Sequence, residues 1–450
     1  MANSYLSRTP SSAGNRRTWT WSCWVKRSLI SSGTQTLFRV GQNDQLRFNS
    51  SNQLDWYTNN ASARLITTRL FMDVNAWYHI MAVMDTTQGT SSNRMKIYVN
   101  GVQETAFGTS NYPSQDFDTD VNNTTVTGIG YAPLTTNEYL DGYLSHVALV
   151  DGTALTPTSF GETDSTSGIW KFKSPSGLSW GTNGFHLKFE NSGNLGLDSS
   201  GQTNNFTSGG NLKQAIDNPS NVYATYNRNI SQTANVAGRN SSVGISLING
   251  NLSNGATAAI FVNQLSTLGF SKGKFYAEFL TTGDTYAAVG IVNSKYGDVS
   301  LGAYIGSDTT SGVNNIGYQS VTGAVKKNNS TSYTGATYTS ANDIVGVAVD
   351  MDNNYIYFSK NGTWQNSGDP TSGSTGTGGV SITQDTYFFA SDAHNNTGSG
   401  TQYIHANFGN GFFGTTAISS AGSNGNGSLF EYDVPSGYYA LNTKNINTYG

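Results

Sequence analysis

Hydrolysis of a glycosidic bond with retention generally needs two carboxylates about 5 Å apart, and a β-strand can supply them from one face at even spacing. The chain has six glutamates, Glu104, Glu138, Glu162, Glu190, Glu278 and Glu431. Only Glu162 with Asp164 and Glu431 with Asp433 have an acidic residue two or four positions away, and both pairs fall where a domain is expected to end. His79, His146, His186, His394 and His405 stand at no zinc-ligand spacing, and Cys23 is the single cysteine. Neither a Gly-x-Ser-x-Gly elbow nor a Gly-rich phosphate loop with Lys-Ser/Thr is present. The residues therefore predict no catalysis and no resident cofactor, with one opening for a metal. Asp116, Asp118 and Asp120 share one side of an extended segment and offer hard oxygen ligands suited to calcium; the simpler alternative is a solvated acidic loop. Asp350, Asp352 and Asn354 begin like an EF-hand loop but lack its glycine and closing glutamate.

What remains is binding. Trp24, Trp56, Tyr57 and Trp364 stand at strand ends or on the polar side of an alternating pattern, where sugar-stacking platforms are found, although aromatics are also the ordinary core filler of this chain. Residues 369–379 are Ser, Thr and Gly and read as a flexible loop. Residues 392–401, with Asp392, His394 and Asn395, form a long polar insertion before a late strand and read as a contact loop. His79 and His146 fall within strands and are expected to be satisfied core or edge residues.

These residues must be positioned by β-structure. Charged residues make up 12% of the chain against about 25% in ordinary soluble domains, while 52 glycines and 12% aromatics describe a turn-rich, aromatic-cored chain. Its 450 residues suffice for two or three domains without disulfides or metals. Residues 1–165 carry 11 basic and 13 acidic groups and residues 166–450 carry 13 and 15, so neither part attracts phosphate and nucleic-acid binding is not expected. No stretch is apolar enough to insert in a membrane or act as a signal peptide, so the chain is expected to be made in a cytoplasm and to leave it by a route other than secretion.

Along the chain, Trp19, Trp21, Cys23 and Val25 alternate with Thr20, Ser22, Trp24 and Lys26, which places the first set in a core and leaves Trp24 as the odd residue of the polar face. Further strands are expected at 36–40, 45–48, 54–57, 65–71, 77–84, 95–99, 125–131 and 139–150, and then at 273–280, 286–292, 317–319, 344–349, 355–359, 387–390 and 403–408. One hairpin is written twice. An apolar strand ending in Asp85, then an aromatic strand ending in Asn100-Gly101, recurs as the strand ending in Asp350 and the one ending in Asn361-Gly362. Their separation predicts two similar domains in series. Pro175-Ser-Gly177 and Pro435-Ser-Gly437 repeat one wording at the two expected exits.

Four ordered blocks, Trp19-Thr-Trp-Ser-Cys-Trp-Val-Lys26, Trp77-Tyr-His-Ile80, Ile97-Tyr-Val-Asn-Gly101 and Gly142-Tyr-Leu-Ser-His-Val-Ala-Leu149, resemble the laminin-G-like, concanavalin-A-like jelly-roll family over about residues 1–160. Phe275-Tyr-Ala-Glu-Phe279, Val289-Gly-Ile-Val292, the strand 343–350, Tyr357-Phe-Ser-Lys-Asn-Gly362 and Asn407-Phe-Gly409 resemble the SPRY domain, whose loops meet ligands. The opening Tyr5-Leu-Ser-Arg-Thr-Pro-Ser-Ser12 and the wording of residues 161–230 resemble tandem-domain structural proteins of tailed bacteriophages, notably those of marine hosts. The expected architecture is therefore all-β: a jelly roll over 1–160, a packed connector over 161–230, a SPRY-like sandwich over 231–415 and an extension over 416–450. The resemblance implies a virion protein, a tail fibre or receptor-facing appendage that binds host-surface glycan or protein. It would also touch other virion proteins and assemble as a homo-oligomer through its sandwiches. A purely structural virion role is the alternative, and a polysaccharide-degrading enzyme the remote one.

Overall fold

The computed structural model describes residues 3–30, 33–230, 245–256, 261–283, 286–295, 304–395, 401–419, 421–422 and 427–450. The described residues are nearly all β-structure, with one short helix at Thr443–Tyr449, and form tandem antiparallel sandwiches in two compact units, residues 1–214 with 218–220, and residues 215–217 with 221–450. The first unit packs an eight-stranded sheet on a six-stranded one. The larger sheet runs, in spatial order, Phe107–Asn111, Ala63–Leu70, Gln53–Thr58, Asp44–Phe48, Gln35–Val40, Thr127–Ile129, Tyr5–Arg8 and Thr207–Gly209. The smaller runs Phe185–Leu187, Gly142–Asp151, Thr18–Arg27, Trp77–Asp85, Met95–Val99 and Val102–Gln103. Period-two alternation sends Trp19, Trp21, Cys23 and Val25 inward to meet Leu46, Phe48, Leu54, Trp56 and Leu65, as the sequence predicts.

Alternation fails to predict the other face of the smaller sheet. That face is also buried, because the segment after the strand Gly142–Asp151 folds back over it and makes a second small core of Met81, Val83, Ala148, Val150 and Phe160 with Leu155, Leu178 and Trp180. Trp24 therefore lies at 3% exposure, its ring 5.0 Å from that of His79 and nearly parallel to it. The hairpin of Gly161–Thr163 and Trp170–Phe172 completes the cover: the Trp170 indole N–H donates to His79 Nδ1 at 3.1 Å, and Ser22 Oγ meets His79 Nε2 at 2.8 Å. Both ring nitrogens of this fully buried histidine are thus used, and burial holds its pKa down to about 3.

The residues expected as a connector over 161–230 are not a separate layer. Phe185–Leu187 extends the smaller sheet, Thr207–Gly209 extends the larger, and the chain passes to the second unit only around residue 215. Short strands with few apolar residues complete existing sheet edges here rather than building a core of their own.

In the second unit one sheet runs Ile245–Ile248, Ser253–Ala256, Gln402–Asn407, Lys274–Thr281, Ile344–Asp350, Tyr355–Lys360 and Thr363–Trp364, with Val380–Ser381 on Tyr355–Lys360 and Tyr439–Ala440 parallel to Lys274–Thr281. The facing sheet runs Phe261–Leu265, Tyr387–His394, Tyr286–Asn293, Asn315–Gln319, Ala324–Lys327 and Ser330–Thr334. Phe275, Phe279, Val289, Ile291, Val345, Val347, Phe389 and Phe408 belong to the core between them.

The repeated hairpin folds the same way twice. Asn100 and Gly101 take φ of 48° and 80°, and Asn361 and Gly362 take 47° and 79°, the left-handed pair that a tight Asn-Gly turn requires. Each Asn closes on the strand before it: Asn100 N–H donates to His79 O at 2.9 Å while its side-chain oxygen accepts from His79 N–H at 2.8 Å, and Asn361 does the same with Ile344 at 2.8 Å and 2.8 Å. In each unit an aromatic ring then covers the glycine, Trp170 over Gly101 and Tyr432 over Gly362, so that a Cβ there would stand 2.5 Å and 2.8 Å from the ring. The expected extension over 416–450 is correspondingly part of the fold. Phe430, Val434 and Tyr438 pack with Tyr276, Ala348 and Tyr357 on the outer side of their sheet, as Leu178 and Trp180 do after Pro175-Ser-Gly177. Glu278, fully buried, clamps this cover by accepting from Tyr432 N–H at 2.9 Å, Glu431 N–H at 2.8 Å, the Tyr276 hydroxyl at 3.2 Å and Asn407 Nδ2 at 3.3 Å.

Candidate ligand-binding face

The outward side of the eight-stranded sheet carries the polar half of the alternating pattern, and strand register lines it up. Ser7 pairs with Gly128, Gly128 with Arg39, Arg39 with Gln45, Gln45 with Tyr57 and Tyr57 with Arg64, a row across six strands. The next row sets Thr36 beside Arg47 and Arg47 beside Asp55. The sequence places these residues outward because Leu46 and Phe48, Leu54 and Trp56, and Ala63 and Leu65 alternate with them into the core.

Arg64 grips the fully buried Asp55 carboxylate with two N–H donors at 2.7 Å and 2.7 Å, and Arg47 Nε adds a third at 2.9 Å. The Asp55 hydrogen bond raises the Arg64 pKa further. Tyr57 lies under both guanidinium groups, Arg47 at 5.2 Å and Arg64 at 6.0 Å from its ring centre, and donates its hydroxyl to Gln45 Oε1 at 2.6 Å. Burial pushes the Tyr57 pKa up, with Arg39 and Arg47 pulling it back.

Residues 130–141 lie over this face. Tyr131 sits on Gly128, where a Cβ would come within 2.8 Å of its ring, and stacks on Tyr5 at 4.1 Å and on Tyr139 at 5.9 Å. Glu138, at φ of 55°, receives Thr36 N–H on its carbonyl at 2.9 Å. Its carboxylate accepts from Gln45 Nε2 at 2.6 Å and Thr36 Oγ1 at 3.2 Å, and pairs with Arg47 at 3.5 Å and Arg39 at 3.6 Å. Guanidinium, amide and hydroxyl donors hold both carboxylates, Asp55 through three N–H bonds and Glu138 through Gln45, Thr36 and two arginines. Tyr57, Gln45 and Arg39 are buried and the Arg47, Arg64 and Glu138 side chains reach the solvent boundary, so planar donors suited to hydroxyls and anions stand just beneath the surface.

Of the aromatics expected as platforms, only Tyr57 faces this surface. Trp56 points inward against Trp19 at 5.7 Å, Trp24 lies under the hairpin, and Trp364 is half-buried against the C-terminal cover of the second unit. The expected contact loop over 392–401 is corrected in its described part. The strand Tyr387–His394 continues to pair with Tyr286–Asn293, so Asp392 is fully buried and accepts from Ala288 N–H and Ile305 N–H, both at 2.8 Å, while His394 packs edge-on to Tyr286 and Asn395 is buried. Residues 396–400 lie outside the described residues. The loop 369–379 is folded onto its sheet rather than free: Tyr438 donates to Pro370 O at 2.9 Å and Gly376 lies against Tyr355.

The calcium reading is likewise corrected. Arg17 takes Asp118 at 2.9 Å and Asp116 at 3.5 Å, and Arg16 takes Asp120 at 3.6 Å, so the three carboxylates already have cations, two sharing Arg17 and the third with Arg16. Among the described residues no group of three or more His, Cys, Asp or Glu is arranged to hold a metal. Melting curves with calcium and with a chelator are expected to superimpose; a higher Tm in calcium would show that the arginines yield these ligands. Glu162 and Asp164, the nearest approach to a catalytic pair, share Lys171 at 3.4 Å and 3.1 Å on the hairpin. Arg39, Gln45, Arg47, Arg64 and Glu138 are the residues that sequence reasoning missed. The available signal was two arginines on the polar phase of the strand candidates 36–40 and 45–48, and a third one residue before the candidate 65–71, in a chain otherwise poor in charge.

Residues 2–159 match a laminin-G-type family described as the concanavalin A-like lectin/glucanases superfamily. No curated protein matches the chain. Among solved structures, the chain is similar to the SPRY domain of human HERC1, with 15% identity over 40% of this chain and 96% of that one and a TM-score of 0.30. A second human SPRY domain aligns at 15% identity over 34% and 90% of the two chains with a TM-score of 0.26. A Bacteroides ovatus protein described as a candidate carbohydrate binder aligns at 16% identity over 46% and 56% with a TM-score of 0.29.

Proposed function

We propose that this chain is a non-catalytic component of a bacteriophage virion that binds a host-surface glycan or protein on the outward face of the first unit's eight-stranded sheet. The observation that carries the binding role is the row of Arg39, Gln45, Tyr57 and Arg64 across neighbouring strands, with the stacked Tyr5, Tyr131 and Tyr139 beside it. Such a row satisfies polar ligands through pre-placed donors, and rigid strands lower the entropy lost on binding. Support for the virion assignment is the resemblance of Tyr5-Leu-Ser-Arg-Thr-Pro-Ser-Ser12 and residues 161–230 to phage tandem-domain proteins. Virion partners and a homo-oligomer belong to the same reading.

Mass spectrometry of washed particles should find the protein, and its absence from them would remove the virion role. Particles carrying Arg47→Gln and Arg64→Gln together with Asp55→Asn, which removes the guanidinium groups without leaving a buried carboxylate unpaired, should assemble and adsorb to host cells at least about tenfold more weakly, the loss of one good charged contact. Normal adsorption by such particles would leave the purely structural role instead.

A further inference from the structure

We infer that Glu138 is an internal stand-in for a ligand carboxylate, and that the ligand of this face is an acidic saccharide whose carboxylate displaces it. This rests on the binding role proposed above and specifies its chemistry. Three guanidinium groups face outward from Gln35–Val40, Asp44–Phe48 and Ala63–Leu70, and the single Asp55 carboxylate pairs with two of them from below. The remaining donor capacity of Arg39, Arg47, Gln45 and Thr36 converges on one carboxylate, and that carboxylate is supplied by a surface segment rather than by the sheet. Its residue holds a left-handed φ of 55° that an L side chain rarely adopts, so the donors offset local strain to keep it there.

The Glu138 side chain is 23% exposed and Arg47 is 18% exposed, which places the pair at the solvent boundary. Leu134, at 52% exposure, and the exposed Thr135, Thr136 and Asn137 make the outer part of the segment, while Leu140 packs on the core, so displacement is a swing of the Glu138 side chain into the solvent at its edge and leaves the backbone in place. Next to Glu138 in the chain, half-buried Tyr139 stacks on Tyr131, which gives a pyranose ring an aromatic neighbour when its carboxylate enters the arginine pair. The donors are planar and paired, matching a carboxylate better than a neutral hydroxyl.

The test uses the full chain with trigalacturonate, its methyl ester and acetate in calorimetric titrations. Trigalacturonate should bind at least about tenfold more tightly than the ester, and less tightly as salt is raised. Glu138→Gln, which removes the competing charge, should tighten trigalacturonate by about tenfold and leave the ester unchanged, because the competent state no longer has to expel a carboxylate. Arg39→Gln should abolish the preference for the acid, and serves as the readout if the Glu138 variant does not fold. Equal affinity for acid and ester, or an unchanged affinity in Glu138→Gln, would overturn the inference. Full competition by acetate at equal concentration would overturn its saccharide part. Particles that adsorb through this face with no acid preference refute only this ligand class; particles whose arginine variants adsorb normally refute the binding role itself.

Discussion

Trp170→Ala is expected to destabilise the first unit by about 3 kcal/mol at pH 7, the range for truncating a large packed side chain that is partly exposed. The ring packs against Gly101 and Gly161 and donates to His79, so its loss opens the cover over the smaller sheet. The effect should shrink in acid, and the sign follows from His79. Its folded pKa is depressed from 6.5 to about 3 by burial, so it contributes stability that is fully present above the unfolded value and is lost as pH falls toward the folded one. In the variant water reaches the ring, its pKa returns toward the ordinary value and that slope disappears. Between pH 6.5 and 4 the gap between wild type and variant should therefore narrow by up to about 3 kcal/mol. Tryptophan fluorescence during urea unfolding reads this directly, since Trp19, Trp21, Trp24, Trp56, Trp77, Trp170 and Trp180 all lie in this unit and Trp364 alone does not. A gap that is constant from pH 7 to pH 4 would mean that Trp170 does not keep His79 neutral.

Glu278→Ala in the second unit should cost about 3 to 5 kcal/mol, because two backbone amides, an asparagine and a tyrosine hydroxyl lose their buried acceptor together. The segment around residues 429–441 should then become the first site of limited proteolysis, where the wild type resists. Burial pushes Glu278 up to about 7 from 4.5, with the amides of Glu431 and Tyr432 pulling the other way. A raised folded pKa contributes stability that is complete below the unfolded value and is lost as pH rises through the folded one. Glu278→Gln has no charge to titrate, so the wild-type advantage over it should be largest near pH 4.5 and decline by up to about 3 kcal/mol as pH passes 7. Proteolysis rates and melting temperatures that do not differ between wild type and Glu278→Ala would show that the C-terminal cover is held by its apolar contacts alone.

What the sequence by itself determined is local and periodic. Alternation in residues 18–27 and 44–57 settles which side of each strand is apolar, and Asn100-Gly101 and Asn361-Gly362 specify two tight turns because few residues other than Asn and Gly accept positive φ. From these the all-β class, the tandem plan and the inward course of Trp19, Trp21 and Cys23 follow. Alternation assigns a residue to a face, but it does not say whether that face meets water. Only the tertiary structure decided that Trp24 and His79 lie under a hairpin formed some 80 to 150 residues later, and that Asp392 continues a buried strand instead of opening a loop. The candidate site shows the same division. Arg39, Gln45, Arg47, Tyr57 and Arg64 are each legible as outward residues, yet their alignment in two rows depends on strand register across the sheet. The approach of Glu138 from a segment roughly ninety residues away depends on how the chain returns over that sheet. Register and long-range cover are set by the summed burial of many side chains, a property of the assembled core that no single stretch of sequence contains.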